Sequence, residues 1–180
     1  MTPKLAHSFL LPACKQLFPN ELLDDKAQAM MLAIGMQESD FLHRQQLIGN
    51  HRNWWESVRG PATSFWQFEK TGVAAVLGHH RARPMFDVAL RALGYPADVN
   101  TIHKAITHND ILAVAIARCL LFTFPDSLPD SNNPEEAWQQ YLWCWRPGKP
   151  KENRWNARYN AAWDIVSGVS HNHLSRDIGK

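Results

Sequence analysis

The chain has 180 residues, of which 45% are hydrophobic and 20% charged, and its net charge is +2. That mix suits one domain with a sizeable core and excludes a chain disordered over most of its length. The positive bias is too weak to call for a nucleic-acid partner by itself.

The N-terminal MTPKLAHSFLLPACKQLFP holds a short apolar run broken by early prolines. It is unlike a secretory leader, so synthesis in the cytoplasm is expected. Asp24 and Asp25 open a helix whose Ala27, Met31, Ile34 and Phe41 recur at helical spacing. From Asn50 to Phe68 the pattern breaks around clustered aromatics and Gly60-Pro61, which predicts a loop or a small irregular hairpin. A short helix is expected near Val73 to Leu77, and another from Pro84 to Leu93 with Gly94 past its end. A helical segment from Thr101 to Ile106 and an apolar helix from Ile111 to Phe122, capped by Asp110, come next. The apolar helix carries Arg118 and falls short of the roughly 20 apolar residues of a membrane span, so it reads as a core helix. Asn133 and Pro134 start a helix with Trp138, Tyr141, Leu142 and Trp145 on one face, and RPGKP stops it. The last helix carries Trp155, Tyr159, Ala162, Trp163 and Val166. This predicts a mainly α fold: a single helical domain over residues 1–170 with one insertion around 50–68, and a loose tail over 171–180. The three cysteines, Cys14, Cys119 and Cys144, are odd in number and widely spaced. They form neither a disulfide framework nor a zinc motif, and no metal or other cofactor is expected.

Glu38 sits on the face of Ala27, Met31, Ile34 and Phe41, where a core residue belongs. A carboxylate buried there without a cation has its pKa raised, as a general acid near neutral pH requires. The bland reading is a helix-end Glu that turns to solvent or pairs with Arg44 or Arg52. Ser39 follows at once, and GPATSFWQF comes later with Gly60, Ser64, Phe65, Trp66 and Gln67. Further on stand YLWCWRPGKP and RYNAAW.

In that order these motifs resemble the lysozyme-like superfamily, on the branch of lytic transglycosylases, goose-type lysozymes and endolysins of Gram-negative phages and prophages. The resemblance covers about Ala27 to Trp163. Glu38-Ser39 matches the family's Glu-Ser at a helix end. The Gly60 to Gln67 stretch stands near its Gly-x-x-Gly-hydrophobic-Met-Gln run, one residue longer and with Ser64 in place of the second Gly. Two places compete for its Tyr-Asn-Ala-Gly turn: Trp145-Arg146 by context and Tyr159-Asn160 by letters. The distance from Ser39 to Gly60, about twenty residues, is longer than in many transglycosylases.

The resemblance implies an α+β lysozyme-like fold and cleavage of the β-1,4 bond between N-acetylmuramic acid and N-acetylglucosamine, with Glu38 as acid. Hydrolysis is expected, helped by a second carboxylate among Glu56, Glu69 and Asp40. The alternative is transglycosylation to an anhydro product with the same Glu. Gln67 would bond an N-acetyl or hydroxyl group of the sugar. Trp66, Tyr141 and Trp145 would wall the groove unless they pack the core, and Arg146 would meet a lactyl or peptide carboxylate. The expected partner is the peptidoglycan strand, met in the periplasm by a monomer after holin-type release, with no nucleic acid and no stable membrane insertion. Lys149, Lys151, Arg154 and Arg158 read together as a patch for outer-membrane phosphates. A non-catalytic glycan-binding module or phage structural protein is the remaining alternative.

Overall fold

The computed structural model describes residues 1–18, 20–48 and 58–169. The fold is mainly helical with one small two-stranded antiparallel sheet.

The N-terminal segment is helical although its prolines argue against it. Helix α1 (Pro3–Leu5) passes through a π turn, Ala6–Leu10, into α2 (Leu11–Lys15). Pro12 has no N–H to give, and just ahead of it the Leu11 N–H reaches back five residues to Ala6. Helix α3 (Asp25–Ser39) starts where Asp24 accepts the Ala27 N–H at 2.8 Å. Its expected apolar face is wider than the spacing suggests, because every residue from Ala27 to Met36 is buried. Strand β1 (Gln45–Ile48) pairs with β2 (Val58–Thr63), so the hairpin begins five residues ahead of the predicted insertion. Thr63 then bridges to Phe68, closing a tight turn around Ser64 to Gln67.

Helices α4 (Lys70–Gly78), α5 (Ala82–Leu93) and α6 (Val99–Ala105) follow. Helix α7 (Asp110–Leu121) is capped by Asn109, not Asp110: Asn109 Oδ1 accepts the Leu112 N–H at 3.0 Å. Helix α7 is buried from Leu112 to Leu121 and packs against α2, α3, α4, α5 and α8 (Pro134–Trp145), which makes it the axis of the core. Helix α9 (Trp155–Val166) lies along α3. Tyr141, Trp155 and Tyr159 stack in a column between α8 and α9, with rings 5.2 and 6.0 Å apart. The large aromatic content therefore serves mostly as core: Trp66 and Trp155 are fully buried. Among the described residues Phe9 and Trp143 are the exceptions, 66% and 44% exposed.

Candidate active site

Glu38 stands in the last turn of α3, where that helix leaves the core and opens on a groove of about 880 Å³. This volume lies in the range of small-ligand clefts. The C-terminal turn of α3, the hairpin, Gln67 to Glu69, α4, α8 and the turn after α8 all contribute to its lining.

The carboxyl of Glu38 is partly buried, and Tyr141 Oη donates to its Oε1 at 2.6 Å. Burial raises the pKa of Glu38 from 4.5 to about 7, against the opposing pull of the Tyr141 hydroxyl and the Arg158 guanidinium. Burial and the adjacent Glu38 also push the Tyr141 phenol up, so it remains a proton donor at any ordinary pH. A group near pKa 7 is protonated often enough to give a proton at neutral pH and ionised often enough to take one back.

Ser39 fixes the end of α3. Its Oγ donates to the Phe65 carbonyl at 2.7 Å and accepts the Phe41 N–H at 3.1 Å, which joins the helix end to the turn after β2. Asp40 and Phe41 then take left-handed backbone at φ 50 and 56. This reversal folds the Phe41 ring onto Gly35, where a Cβ would meet the ring at 2.3 Å. Among the described residues, the non-glycine residues at positive φ are Asp40, Phe41, Ser64, Gln67 and Arg146, and all five lie in the segments that shape the groove. Such conformations cost about 1–3 kcal/mol each, and they persist only where the surroundings over-determine them.

Ser64 takes the left-handed backbone that favours glycine, at φ 66°. It is fully buried, and its Oγ accepts the Trp66 N–H at 3.2 Å. Gln67 faces the groove, and its Nε2 donates to the carbonyls of Ser64 at 2.8 Å and His43 at 3.2 Å, bracing the turn. Trp66 does not wall the groove. Its indole is fully buried in the core and donates to Met31 O at 2.8 Å, because the turn at Ser64 points it beneath α3. Trp145 does line the groove, with Nε1 donating to Trp66 O at 2.9 Å. Arg146 closes α8 in left-handed backbone beside it. Tyr159 lies away from the groove in the core, donating to the carbonyls of Pro129 and Asp130 at 3.2 and 3.0 Å. Of the two places compared with the Tyr-Asn-Ala-Gly turn, Trp145-Arg146 lines the groove and Tyr159-Asn160 does not.

The expected second carboxylates separate. Asp40 lines the groove but is held by Arg158 at 2.6 Å. Glu69 is exposed on the lining at the N-terminus of α4. Glu56 lies outside the described residues. The expected basic patch also breaks up. Arg158 is only 12% exposed and donates to Gln37 O, Gln37 Oε1 and Asp40. Lys149 and Lys151 line the groove. Sequence reasoning missed Arg158, Gln37 and Trp143 as parts of the site. Arg158 is 121 residues from Gln37, and nothing in the spacing links them.

Among the described residues no helix is long and apolar enough to cross a membrane. No group of three or more His, Cys, Asp and Glu is placed there to hold a metal ion. No family model, curated protein or solved structure matches the chain.

Proposed function

We propose that the protein is a peptidoglycan glycosidase that hydrolyses the β-1,4 bond between N-acetylmuramic acid and N-acetylglucosamine, with Glu38 as general acid. One observation carries this reading: a carboxyl with its pKa raised to about 7 stands in an open groove and accepts a hydrogen bond from Tyr141. A module that only binds glycan has no use for a desolvated acid.

In the proposed reaction, protonated Glu38 gives its proton to the glycosidic oxygen as the bond breaks toward an oxocarbenium-like state. The carboxylate left behind gains most from its neighbours. A hydrogen bond to an ionised acceptor is about twice as strong as one to a neutral acceptor, so Tyr141 and Arg158 stabilise the charge as it develops. Water then attacks the sugar, with Glu69 as the candidate to orient it and take its proton, and solvent returns a proton to Glu38 before the next turnover.

A second reading, lytic transglycosylation, draws support from the pairing of Asp40 with Arg158. That pairing leaves Glu69 as the other groove carboxylate outside an ion pair among the described residues. In that case ionised Glu38 takes the proton of the muramyl 6-hydroxyl and the product is an anhydro sugar.

Digestion of purified peptidoglycan with the wild type and with Glu38→Gln, followed by mass spectrometry of the muropeptides, tests both. The expected result is reducing muramic acid ends from the wild type and a loss of roughly 10²–10⁴-fold in rate for the variant. Products one water lighter would replace hydrolysis by transglycosylation. Equal cleavage by both proteins would remove Glu38 from the reaction.

A further inference from the structure

We propose that the turn after α8 is a carboxylate-binding rim, built by Arg146, Lys149 and Lys151, and that it takes the acidic stem peptide of a muramyl unit. The inference rests on reading the groove as a cleft for glycan strands, and it specifies which strands the cleft prefers.

All three side chains are exposed and line the groove that holds Glu38. None of them enters an ion pair among the described residues, whereas Arg158, grouped with two of them by sequence, is paired with Asp40. The turn is held in place from both ends. Arg146 starts it in left-handed backbone at φ 48, with Nε donating to Trp143 O at 3.4 Å and the guanidinium 6.0 Å from the Trp143 ring centre. At the other end, Gln37 Nε2 donates to Lys151 O at 3.0 Å, which ties Lys151 to the residue before Glu38. Pro147 and Pro150 fix φ on either side of Gly148 and Lys149. The cations thus stand at a set position beside the acid.

The acids of the lining do little to cancel this charge. Glu38 is half protonated near pH 7, Asp40 is neutralised by Arg158, and Glu69 remains. An unmodified glycan backbone offers such a lip only hydroxyl and N-acetyl groups. The peptide carboxylates of a muramyl unit, or its lactyl carboxylate where no peptide is attached, offer fixed anions along one edge of the strand, which a row of unpaired cations fits.

The test uses the Glu38→Gln protein, which reads binding apart from cleavage, and the same protein carrying R146Q, K149Q and K151Q. Each is sedimented with intact sacculi, with sacculi stripped of their carboxylate charge by carbodiimide-coupled amidation, and with phosphatidylglycerol vesicles, at low and high salt. The Glu38→Gln protein is expected to bind intact sacculi better than stripped ones. The three neutral residues should weaken binding to intact sacculi roughly tenfold at low salt, the sum of three exposed ion pairs, and remove the preference. Equal binding to intact and stripped sacculi, or binding unchanged by the triple substitution, overturns the rim. So does a loss confined to the vesicles, which would assign these cations to lipid phosphate instead. Cleavage of intact sacculi by the wild type separates the two readings. Cleavage without the preference removes the rim and leaves the glycosidase. The preference without cleavage keeps the rim and removes the glycosidase.

Discussion

Glu38→Gln should stabilise the protein, and by an amount that depends on pH. The folded state holds the Glu38 proton up to about pH 7, whereas the unfolded chain releases it near 4.5. Folding therefore takes up a proton between those values, and stability falls as pH rises through that window. The full contribution is present below about 4.5 and is gone above about 7. At about 1.4 kcal/mol per pH unit the ionised carboxylate costs the fold about 3 kcal/mol at pH 8. Glutamine has nearly the same shape, keeps an oxygen for the Tyr141 hydroxyl and never ionises. The variant should match the wild type at pH 4 and exceed its Tm by about 6–12 °C at pH 8, at about 2–4 °C per kcal/mol for a chain of this size. Paired melts from pH 4 to 8 measure the difference, and the titration of every other group cancels. A difference that stays flat across this range would mean that Glu38 is solvated, and the physical basis for its role as an acid would be lost.

Three other outcomes follow from neighbouring contacts. Tyr141→Phe removes the donor to Glu38 and should raise the Glu38 pKa further, by about one unit; a carboxyl carbon NMR titration reads it directly, and the alkaline limb of the rate profile should move up with it. Arg158→Met should shift the same limb upward and cost about 1–3 kcal/mol in urea unfolding, because the Gln37 carbonyl and the Asp40 carboxylate lose their donor. Ser64→Gly should be within about 1 kcal/mol of the wild type, since relief at φ 66 offsets the lost bond from the Trp66 N–H, whereas Ser64→Val loses that bond and tightens the strain.

The helices were legible wherever an apolar period met a cap. Asp24, Pro134 and Gly94 each mark an observed boundary within a residue or two. The N-terminal helix was not legible, because Pro12 reads as a breaker until a π turn absorbs it. At the site, Glu38 stood out because a carboxylate on an apolar helix is costly and therefore informative. The aromatics carried no such signal. Trp66 in the irregular insertion and Trp145 on a helix face both read as groove walls, yet the left-handed turn at Ser64 sends one into the core while the end of α8 leaves the other in the groove. Arg158 was hidden for the opposite reason: its partners lie at the end of α3 and just past it, more than a hundred residues away, and a helix-surface arginine looks like any solvated charge until α9 is docked.

The partners of Glu38 arrive late in synthesis. Tyr141 lies 103 residues after it, and Arg158 lies 121 residues after Gln37. At about 5–20 residues per second, a ribosome leaves α3 without either partner for about 5–20 s. During that interval Glu38 has neither the Tyr141 bond nor the docked α8 and α9 to bury it, and it titrates as a common glutamate. The raised pKa is a property of the finished fold, switched on when the last helix closes against the first long one.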